Sequence, residues 1–175
     1  MWRDAIDDWF HQQSHIADTA GRVGHHPDRF EAESMTSSGY EPIDVHPWET
    51  ASGGKAAVCR VASGCTLSTA LTVLRGSYNI AVQYYDIWHA ASKFELLVNG
   101  KSVATWQASE ILPPAQFDPH PDGQTATRYT AHNIALEPGD ILTLKGTPDL
   151  QGREPELAPV DYIQLGPTGP VTPQN

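Results

Sequence analysis

Residues 77 to 86 are the segment that most restricts how this chain can fold. Tyr78, Ile80, Val82 and Tyr84 occupy every second position, and mostly small or polar residues lie between them. Apolar residues with a period of two line one face of a β-strand. The segment therefore predicts a strand with one face in a hydrophobic core and the other face less buried.

Asn99-Gly100 separates two further candidate strands, residues 93–98 and 101–106. Both central positions of a two-residue hairpin turn need positive φ, which Asn and Gly accept, so this segment predicts an antiparallel hairpin. The remaining candidate strands occur at residues 29–35, 55–60, 66–73, 128–136, 140–145 and from 160 onwards. Because no helical period separates them, we predict an all-β chain folded as an antiparallel β-sandwich of the jelly-roll type.

The first 27 residues have a different pattern. Trp2, Ile6, Trp9 and Phe10 recur at helical spacing, so a short N-terminal amphipathic helix is predicted at residues 2–13. Its apolar stripe would pack on the β domain or on a neighbour outside this chain. We divide the chain into three parts: an N-terminal segment at 1–27, a β domain at 28–166 and a flexible tail at 167–175.

Charge and hydrophobicity exclude two classes of partner. The net charge is −10 and the 11 Lys and Arg residues are scattered, whereas nucleic-acid binding needs clustered cations. No apolar run approaches the ~20 residues of a membrane-spanning helix. We therefore predict a soluble protein that binds neither nucleic acid nor membranes.

Cys59 and Cys65 flank residues 60–64, which have the composition of a hairpin loop. A disulfide between them would close a short ring and would indicate an exported, extracellular protein. Two free thiols are the alternative. The start of the chain lacks the apolar core of a signal peptide, so either the protein is not exported or this sequence is cut from a longer one. The candidate disulfide favours the second, a piece of a longer secreted protein.

Three acidic residues suggest a metal site. If residues 29–35 form one strand, Glu31 and Glu33 share a face, while Asp161 shares a face with apolar residues of the last strand. A buried carboxylate is normally paired or bound to a metal, and a set of oxygen donors suits calcium. We therefore predict a structural Ca²⁺ joining the two ends of the domain. The alternative is that these carboxylates are exposed, or that they pair with Arg29 and Lys55.

The sequence favours binding over catalysis. It contains no G-x-S-x-G motif, and two glutamates on one strand do not face each other across a cleft, so no catalytic residue is assigned. Aromatic and polar residues occur instead where loops are expected, and rings beside polar groups are suited to sugars. The candidate ligand-binding residues are Tyr40, Asp86, Trp88, His89 and Trp106. Packing in the core is the alternative for the aromatic rings.

Seven segments in order resemble carbohydrate-binding modules of families 35 and 6. They are FEAESM at 30–35, SGY at 38–40, ASGGK at 51–55, GSYNIAVQYYD at 76–86, FELLVNG at 94–100, LEPGD at 136–140 and VDYI at 160–163. The resemblance implies a β-jelly roll with a structural calcium held by Glu31, Glu33, Asp161 and a backbone carbonyl near Gly53 to Lys55, which we assign to Lys55. It also implies that a sugar, often a uronic acid, binds at loop tips.

The N-terminal segment resembles the C-terminal end of the catalytic region of family 67 α-glucuronidases. The matching segments are WRDAIDDWF at 2–10, IAD at 16–18 and GR at 21–22. Fungal members are similar in continuing into an Arg-x-Glu-Ala-Glu-Ser-Met segment and a β domain with a matching cysteine pair. The resemblance implies a module of a xylan-acting enzyme, with the catalytic carboxylates upstream and xylan or a glucuronic-acid-containing oligosaccharide as partner. A structural domain that packs on the catalytic region or forms a dimer is the alternative.

Overall fold

The computed structural model describes residues 29–45, 51–87, 91–108, 121, 125–151 and 155–171. The helix predicted at residues 2–13 lies outside these ranges, as do Trp88 and His89. No helix in the described part of the chain is long and apolar enough to cross a membrane.

Strands make up nearly all the regular structure of the described residues. They are β1 (Arg29–Glu31), β2 (Thr36–Ser38), β3 (Tyr40–Asp44), β4 (Lys55–Cys59), β5 (Cys65–Ala70), β6 (Gly76–Tyr85), β7 (Lys93–Val98), β8 (Lys101–Gln107), β9 (Ala126–Leu136), β10 (Ile141–Thr147) and β11 (Val160–Pro167). Two 3₁₀ turns, Ala32–Ser34 and Ser52–Gly54, precede β2 and β4.

The strands form two antiparallel sheets that pack face to face. The six-stranded sheet has the order β3-β4-β11-β6-β9, and β1 also pairs with β11. The five-stranded sheet has the order β2-β5-β10-β7-β8. The predicted all-β antiparallel sandwich is therefore confirmed.

The core lies between the two sheets. Ile80 and Val82 of β6 and Leu96 and Leu144 of the other sheet are fully buried there. The alternation predicted for β6 is confirmed from Ser77 to Val82, whereas both faces of the strand are buried from there to its end, with Gln83 as well as Tyr85 at 0% exposure. Tyr85, which points to the opposite face of β6, is also fully buried, because it packs with a second apolar cluster on the outer face of the six-stranded sheet. That cluster comprises Val45, Ala51, Ala56, Tyr85 and Ala126, with Ile43 beside it.

Two local predictions are also confirmed. Asn99 and Gly100 have φ of 50° and 76°, as a two-residue hairpin turn between β7 and β8 requires. Cys59 and Cys65 form a disulfide. Because Cys59 ends β4 and Cys65 begins β5, the disulfide links the two sheets covalently.

Tyr40 fills a space left by a glycine of the opposite sheet. The residue is 6% exposed and its hydroxyl donates to the Ala158 carbonyl at 3.1 Å. A Cβ at Gly146 would overlap that hydroxyl and would lie 3.1 Å from the Ala158 Cβ. The prediction that Tyr40 contacts a ligand at a loop tip finds no support in this position, because its ring lies in the core.

Replacing Gly146 with Ala should therefore destabilise the sandwich by about 2 kcal/mol, since the Tyr40 ring must move and lose its hydrogen bond. Gly166→Ala is the matched control, because a Cβ at that strand position meets nothing within 4 Å. Its expected change is within about 0.5 kcal/mol. Urea unfolding of both variants measures the difference, and equal effects would contradict the close-packing argument.

Candidate functional site

The acidic side chains near the start of the domain lie close to one turn of the chain, but not because they share a strand face as predicted. The predicted strand 29–35 ends at Glu31, and a 3₁₀ turn begins at Ala32, so Glu31 and Glu33 do not share a face by strand alternation. Both nevertheless reach the turn Ser52–Gly54. Ser52 Oγ donates to Glu31 Oε1 at 2.7 Å, and a Cβ at Gly53 would lie 3.5 Å from Glu33 Oε1.

Asp161 reaches the same turn from the last strand. A register shift between Val160 and Tyr162 interrupts the alternation of β11, so sequence spacing could not assign the face of Asp161. The side chain is fully buried, and its Oδ1 accepts the Ser52 backbone N–H at 2.9 Å. Its Oδ2 is buried and makes no hydrogen bond in the described structure.

Burial raises the pKa of Asp161 well above its usual range, and the negative charge of Glu31 adds to this effect. The Ser52 N–H and the Arg29 guanidinium oppose the shift, while Glu33 reinforces it. These contributions indicate that the three carboxylates influence one another. Removing a carboxylate from water without full compensation is costly, which makes Asp161 the group in this cluster most in need of a cation.

Arg29 supplies part of the compensating charge. It is 7% exposed, its Nη1 donates to Ser52 Oγ at 3.4 Å, and its guanidinium lies 3.9 Å above the Tyr162 ring. Lys55 instead pairs with Asp44, Nζ to Oδ1 at 2.6 Å, in an exposed ion pair. The charge of Arg29 lowers the pKa of Asp161, as the alternative of pairing would require, whereas the Lys55 side chain pairs with Asp44.

The donor chemistry of this cluster suits calcium. Carboxylate and hydroxyl oxygens from Glu31, Glu33, Asp161 and Ser52 are hard ligands, and one guanidinium leaves an excess of negative charge. Within the described ranges, no three His, Cys, Asp or Glu side chains are already arranged as a metal-binding group. The cluster would therefore have to close around an ion to coordinate it.

Of the predicted sugar-binding residues, the three that the structure describes, Tyr40, Asp86 and Trp106, do not form one exposed surface. Trp106 is half-buried, and its ring stacks on Tyr129 at 4.2 Å and on Phe94 at 5.2 Å between centroids. Asp86 is 3% exposed, at the end of β6. Trp88 and His89 lie outside the described residues. The packing alternative is therefore the better account of Trp106, as it is of Tyr40.

Glu156 is a buried acidic residue that sequence reasoning missed. Its Oε1 accepts the N–H of Ile87 at 3.1 Å, and its Oε2 accepts the N–H of Ser92 at 2.9 Å. The Ser92 hydroxyl donates to the Glu156 carbonyl at 3.1 Å. Glu156 lies in the loop between β10 and β11. Ile87 and Ser92 lie near the start and the end of the loop between β6 and β7, so the Glu156 side chain links the two loops. Glu156 lies in a Pro-containing loop without a regular spacing of apolar residues, so the sequence around it does not predict that its side chain is buried.

The environment of Glu156 favours its neutral form. Glu156 has no solvent-exposed surface, and this burial raises its pKa to about 7. The hydrogen bonds from Ser92 and Ile87 lower the pKa, and the nearby charge of Asp86 raises it. Burial exceeds the effect of the hydrogen bonds, so this carboxyl group titrates near neutral pH.

The fold is that of carbohydrate-binding modules. A family 35 carbohydrate-binding module from Clostridium thermocellum superposes with a TM-score of 0.58 and 14% identity, covering 80% of this chain and 97% of that chain. The GH26-CBM35 β-(1,4)-mannanase of Podospora anserina gives a TM-score of 0.58 and 15% identity, covering 83% of this chain and 28% of that chain. This likeness shows the fold alone.

The sequence relatives are α-glucuronidases. The chain is 44% identical over 171 residues, 95% of its length, to probable α-glucuronidase A of Aspergillus flavus. It is 41% identical over 176 residues, 98% of its length, to α-glucuronidase A of Aspergillus tubingensis. The chain covers 20% of each of these relatives, and it matches the C-terminal end of fungal α-glucuronidase A. No protein-family model matches the sequence.

Replacing Glu156 with Gln tests the titration of this group. The folded pKa of about 7 exceeds the ordinary value of 4.5, so the stability that Glu156 contributes is full below pH 4.5 and is lost as pH rises through about 7. Between these limits the unfolding free energy of the wild type should fall relative to Glu156→Gln by up to about 3 kcal/mol. Urea unfolding across this pH range measures the difference, and parallel pH profiles would contradict the assignment.

Proposed function

We propose that this chain is a non-catalytic, calcium-stabilised module of a xylan-degrading α-glucuronidase, binding glucuronoxylan or an oligosaccharide that bears uronic acid. The relatives named α-glucuronidase and the fold of a carbohydrate-binding module support the proposal. The single observation that carries the calcium component is Asp161, a fully buried carboxylate beside Glu31 and Glu33. One of its oxygens accepts no hydrogen bond from any residue that the structure describes.

A bound calcium ion would neutralise the excess negative charge of this cluster. Three carboxylates and one guanidinium lie around Ser52, so a divalent cation would bring the total charge of the ionised groups to zero. Calcium accepts six to eight oxygen ligands at flexible angles, which suits side chains from three separate segments. We propose Glu31, Glu33, Asp161 and the Lys55 carbonyl as the protein ligands. The ion would replace the Arg29 guanidinium as the main source of positive charge.

Such an ion would join parts of the chain that are otherwise weakly attached. β1 has three residues and pairs only with β11 among the described strands. The turn Ser52–Gly54 leads into β4, which pairs with β11 at Val160. An ion between these segments would stabilise the native state because the unfolded chain cannot assemble the same ligands.

The connection between β6 and β7 is the proposed sugar contact. Asp86 and Ile87 enter it, and Trp88 and His89 follow in sequence as an aromatic and a polar group suited to a pyranose ring. Residues 28–166 form the proposed module, 1–27 the end of the upstream catalytic region, and 167–175 the tail. The disulfide between Cys59 and Cys65 supports a secreted, extracellular location, since such bonds persist in oxidising compartments.

A structural role is the second candidate function. The packed positions of Tyr40 and Trp106 favour it, because neither ring offers a free platform to a sugar. In this alternative the sandwich packs on the catalytic region of an α-glucuronidase or forms a dimer interface, and it binds no glycan. The two candidates differ in one measurable property, the affinity of the chain for glucuronoxylan.

Removal of calcium should lower the melting temperature of the chain by about 5–10 °C, because a ligand held 100-fold above its Kd stabilises by about 2.7 kcal/mol. The measurement is thermal unfolding with calcium and with a chelator. Asp161→Ala should abolish the difference between the two curves. Asp44→Asn, a nearby exposed carboxylate paired with Lys55, is the control and should retain it. An unchanged wild-type curve with chelator would refute the calcium site.

Affinity electrophoresis through gels containing glucuronoxylan distinguishes the two functions. A binding module should migrate more slowly as the polysaccharide concentration increases, with a reference protein of similar charge as control. Trp88→Ala should remove most of the retardation if this ring is the platform. Migration that is independent of polysaccharide would favour the structural role.

A further inference from the structure

One buried arginine lies among the carboxyl groups of the proposed calcium site. Arg29 is 7% exposed, and its Nη1 donates to Ser52 Oγ at 3.4 Å. The Ser52 hydroxyl donates in turn to Glu31 Oε1 at 2.7 Å, and the Ser52 N–H donates to Asp161 Oδ1 at 2.9 Å. The Arg29 guanidinium therefore approaches two carboxyl groups through a residue that binds both.

The strands place the guanidinium at this position. Arg29 and Glu31 are two residues apart in β1, so their side chains lie on one face of the strand, while Phe30 between them packs against the core. Glu31 pairs with Tyr162 of β11, and Arg29 Cζ lies 3.9 Å from the centroid of the Tyr162 ring. A guanidinium is attracted to an aromatic face without the help of a carboxylate. The ring therefore holds Arg29 beside the cluster by a contact that does not involve the acidic residues.

The charge of Arg29 acts on the most buried carboxyl group of the cluster. Burial raises the pKa of Asp161 well above its usual range, and the charge of Glu31 adds to this shift, whereas the Arg29 guanidinium lowers the pKa. A positive charge with this effect favours the ionised form of the carboxyl group. Without a metal ion, Arg29 therefore offsets part of the negative charge that the domain buries.

Lys55 is a second cation near the cluster, but its charge is used elsewhere. The hydrogen bond and charge of Asp44 raise the pKa of Lys55, and the charge of Glu33 makes a smaller contribution. The Lys55 side chain is exposed and its Nζ lies 2.6 Å from Asp44 Oδ1. Water and salt screen an exposed ion pair, so it compensates a buried charge poorly. Among the residues that the structure describes, Arg29 is thus the main compensating cation of the cluster.

A bound divalent cation and Arg29 would act on the same carboxyl groups. Each would offset their negative charge, and the two positive charges would repel each other within one buried cluster. Loss of the arginine charge would therefore destabilise the metal-free domain and remove a repulsion from the metal-bound domain. Both effects increase the affinity for the metal ion. Loss of a residue that organises the ligands would have the opposite effect.

We propose that Arg29 is the internal counter-ion of the acidic cluster, which stabilises the domain without calcium and at the same time weakens calcium binding. This inference rests on the proposed calcium site, and it assigns the residue that sets the affinity of that site. Arg29 is not itself a ligand, because a guanidinium group has five N–H donors and no acceptor. Its contact with Tyr162 does not depend on the carboxyl groups, so the side chain keeps this partner when a metal ion binds.

Calcium titration of the full 175-residue chain tests the proposal. Metal is removed with a chelator, and isothermal titration calorimetry then measures the Kd of the wild type and of Arg29→Gln, which keeps N–H donors but has no charge. The Kd of Arg29→Gln should be about tenfold lower, because a nearby positive charge no longer opposes the ion. At equal calcium concentration, the calcium-induced rise in melting temperature should be about 3–6 °C larger than in the wild type. In chelator, Arg29→Gln should melt below the wild type.

Arg128→Gln is the matched control. Arg128 donates to the Tyr162 hydroxyl, and its Cζ lies 5.8 Å from the centroid of the same ring. Burial raises the pKa of Tyr162 to about 12 and both guanidinium groups oppose that shift, but of the two only Arg29 also lowers the pKa of Asp161. Arg128→Gln should therefore bind calcium with the wild-type Kd. An equally lowered Kd in both variants would indicate a general effect of net charge and would overturn the proposal.

Arg29→Lys covers the case in which Arg29→Gln does not fold. Lysine keeps the positive charge but lacks the planar fork that contacts both Ser52 and Tyr162. A counter-ion role predicts a Kd close to that of the wild type. Weaker calcium binding by Arg29→Lys or by folded Arg29→Gln would show that the guanidinium geometry organises the ligands, and it would overturn the proposal.

The proposed calcium site can fail separately. If the wild type binds no calcium and its melting curve is the same in chelator, the site itself is refuted, and the role of Arg29 in setting its affinity is refuted with it. If the wild type binds calcium and Arg29→Gln binds it no more tightly, the calcium site stands and only the role of Arg29 is refuted.

Discussion

The hydrogen bonds that Ser52 makes to two acidic residues are the contact on which this end of the sandwich depends. Its N–H binds Asp161 of the last strand, and its hydroxyl binds Glu31 of the first. A short turn thereby holds together the two ends of the domain, which are distant in sequence. The same hydrogen bonds hold the two carboxyl groups in a buried position. The contact that joins the ends of the domain therefore also creates the excess of negative charge that a cation would neutralise.

A second buried carboxyl group has a comparable arrangement elsewhere in the fold. Glu156 binds backbone N–H groups of Ile87 and Ser92, as Asp161 binds the N–H of Ser52. In both cases burial raises the pKa and hydrogen bonds from the backbone oppose the shift. The two sites differ in their neighbours: the Arg29 guanidinium lowers the pKa of Asp161, whereas the carboxylate of Asp86 raises the pKa of Glu156.

Aromatic residues were the least predictable part of the candidate site. Tyr40 and Trp106 follow or precede loops in the sequence, which suggested exposed platforms. In the fold, Tyr40 enters the space above Gly146, and Trp106 stacks against Tyr129 from the neighbouring edge strand. Both outcomes depend on residues of other strands that are remote in sequence. Local composition cannot distinguish a ring at a loop tip from one that turns inward at a strand end.

The sequence by itself determined the all-β class, the alternation of β6, the turn at Asn99-Gly100 and the cysteine pair, because each depends on local periodicity, turn conformation or short spacing. Only the tertiary structure decided where the acidic residues lie. The 3₁₀ turn after Glu31 and the register shift at Asp161 break strand alternation, and the convergence on Ser52 is a long-range contact. The position of Glu156 was likewise decided by strands that meet only in the folded chain.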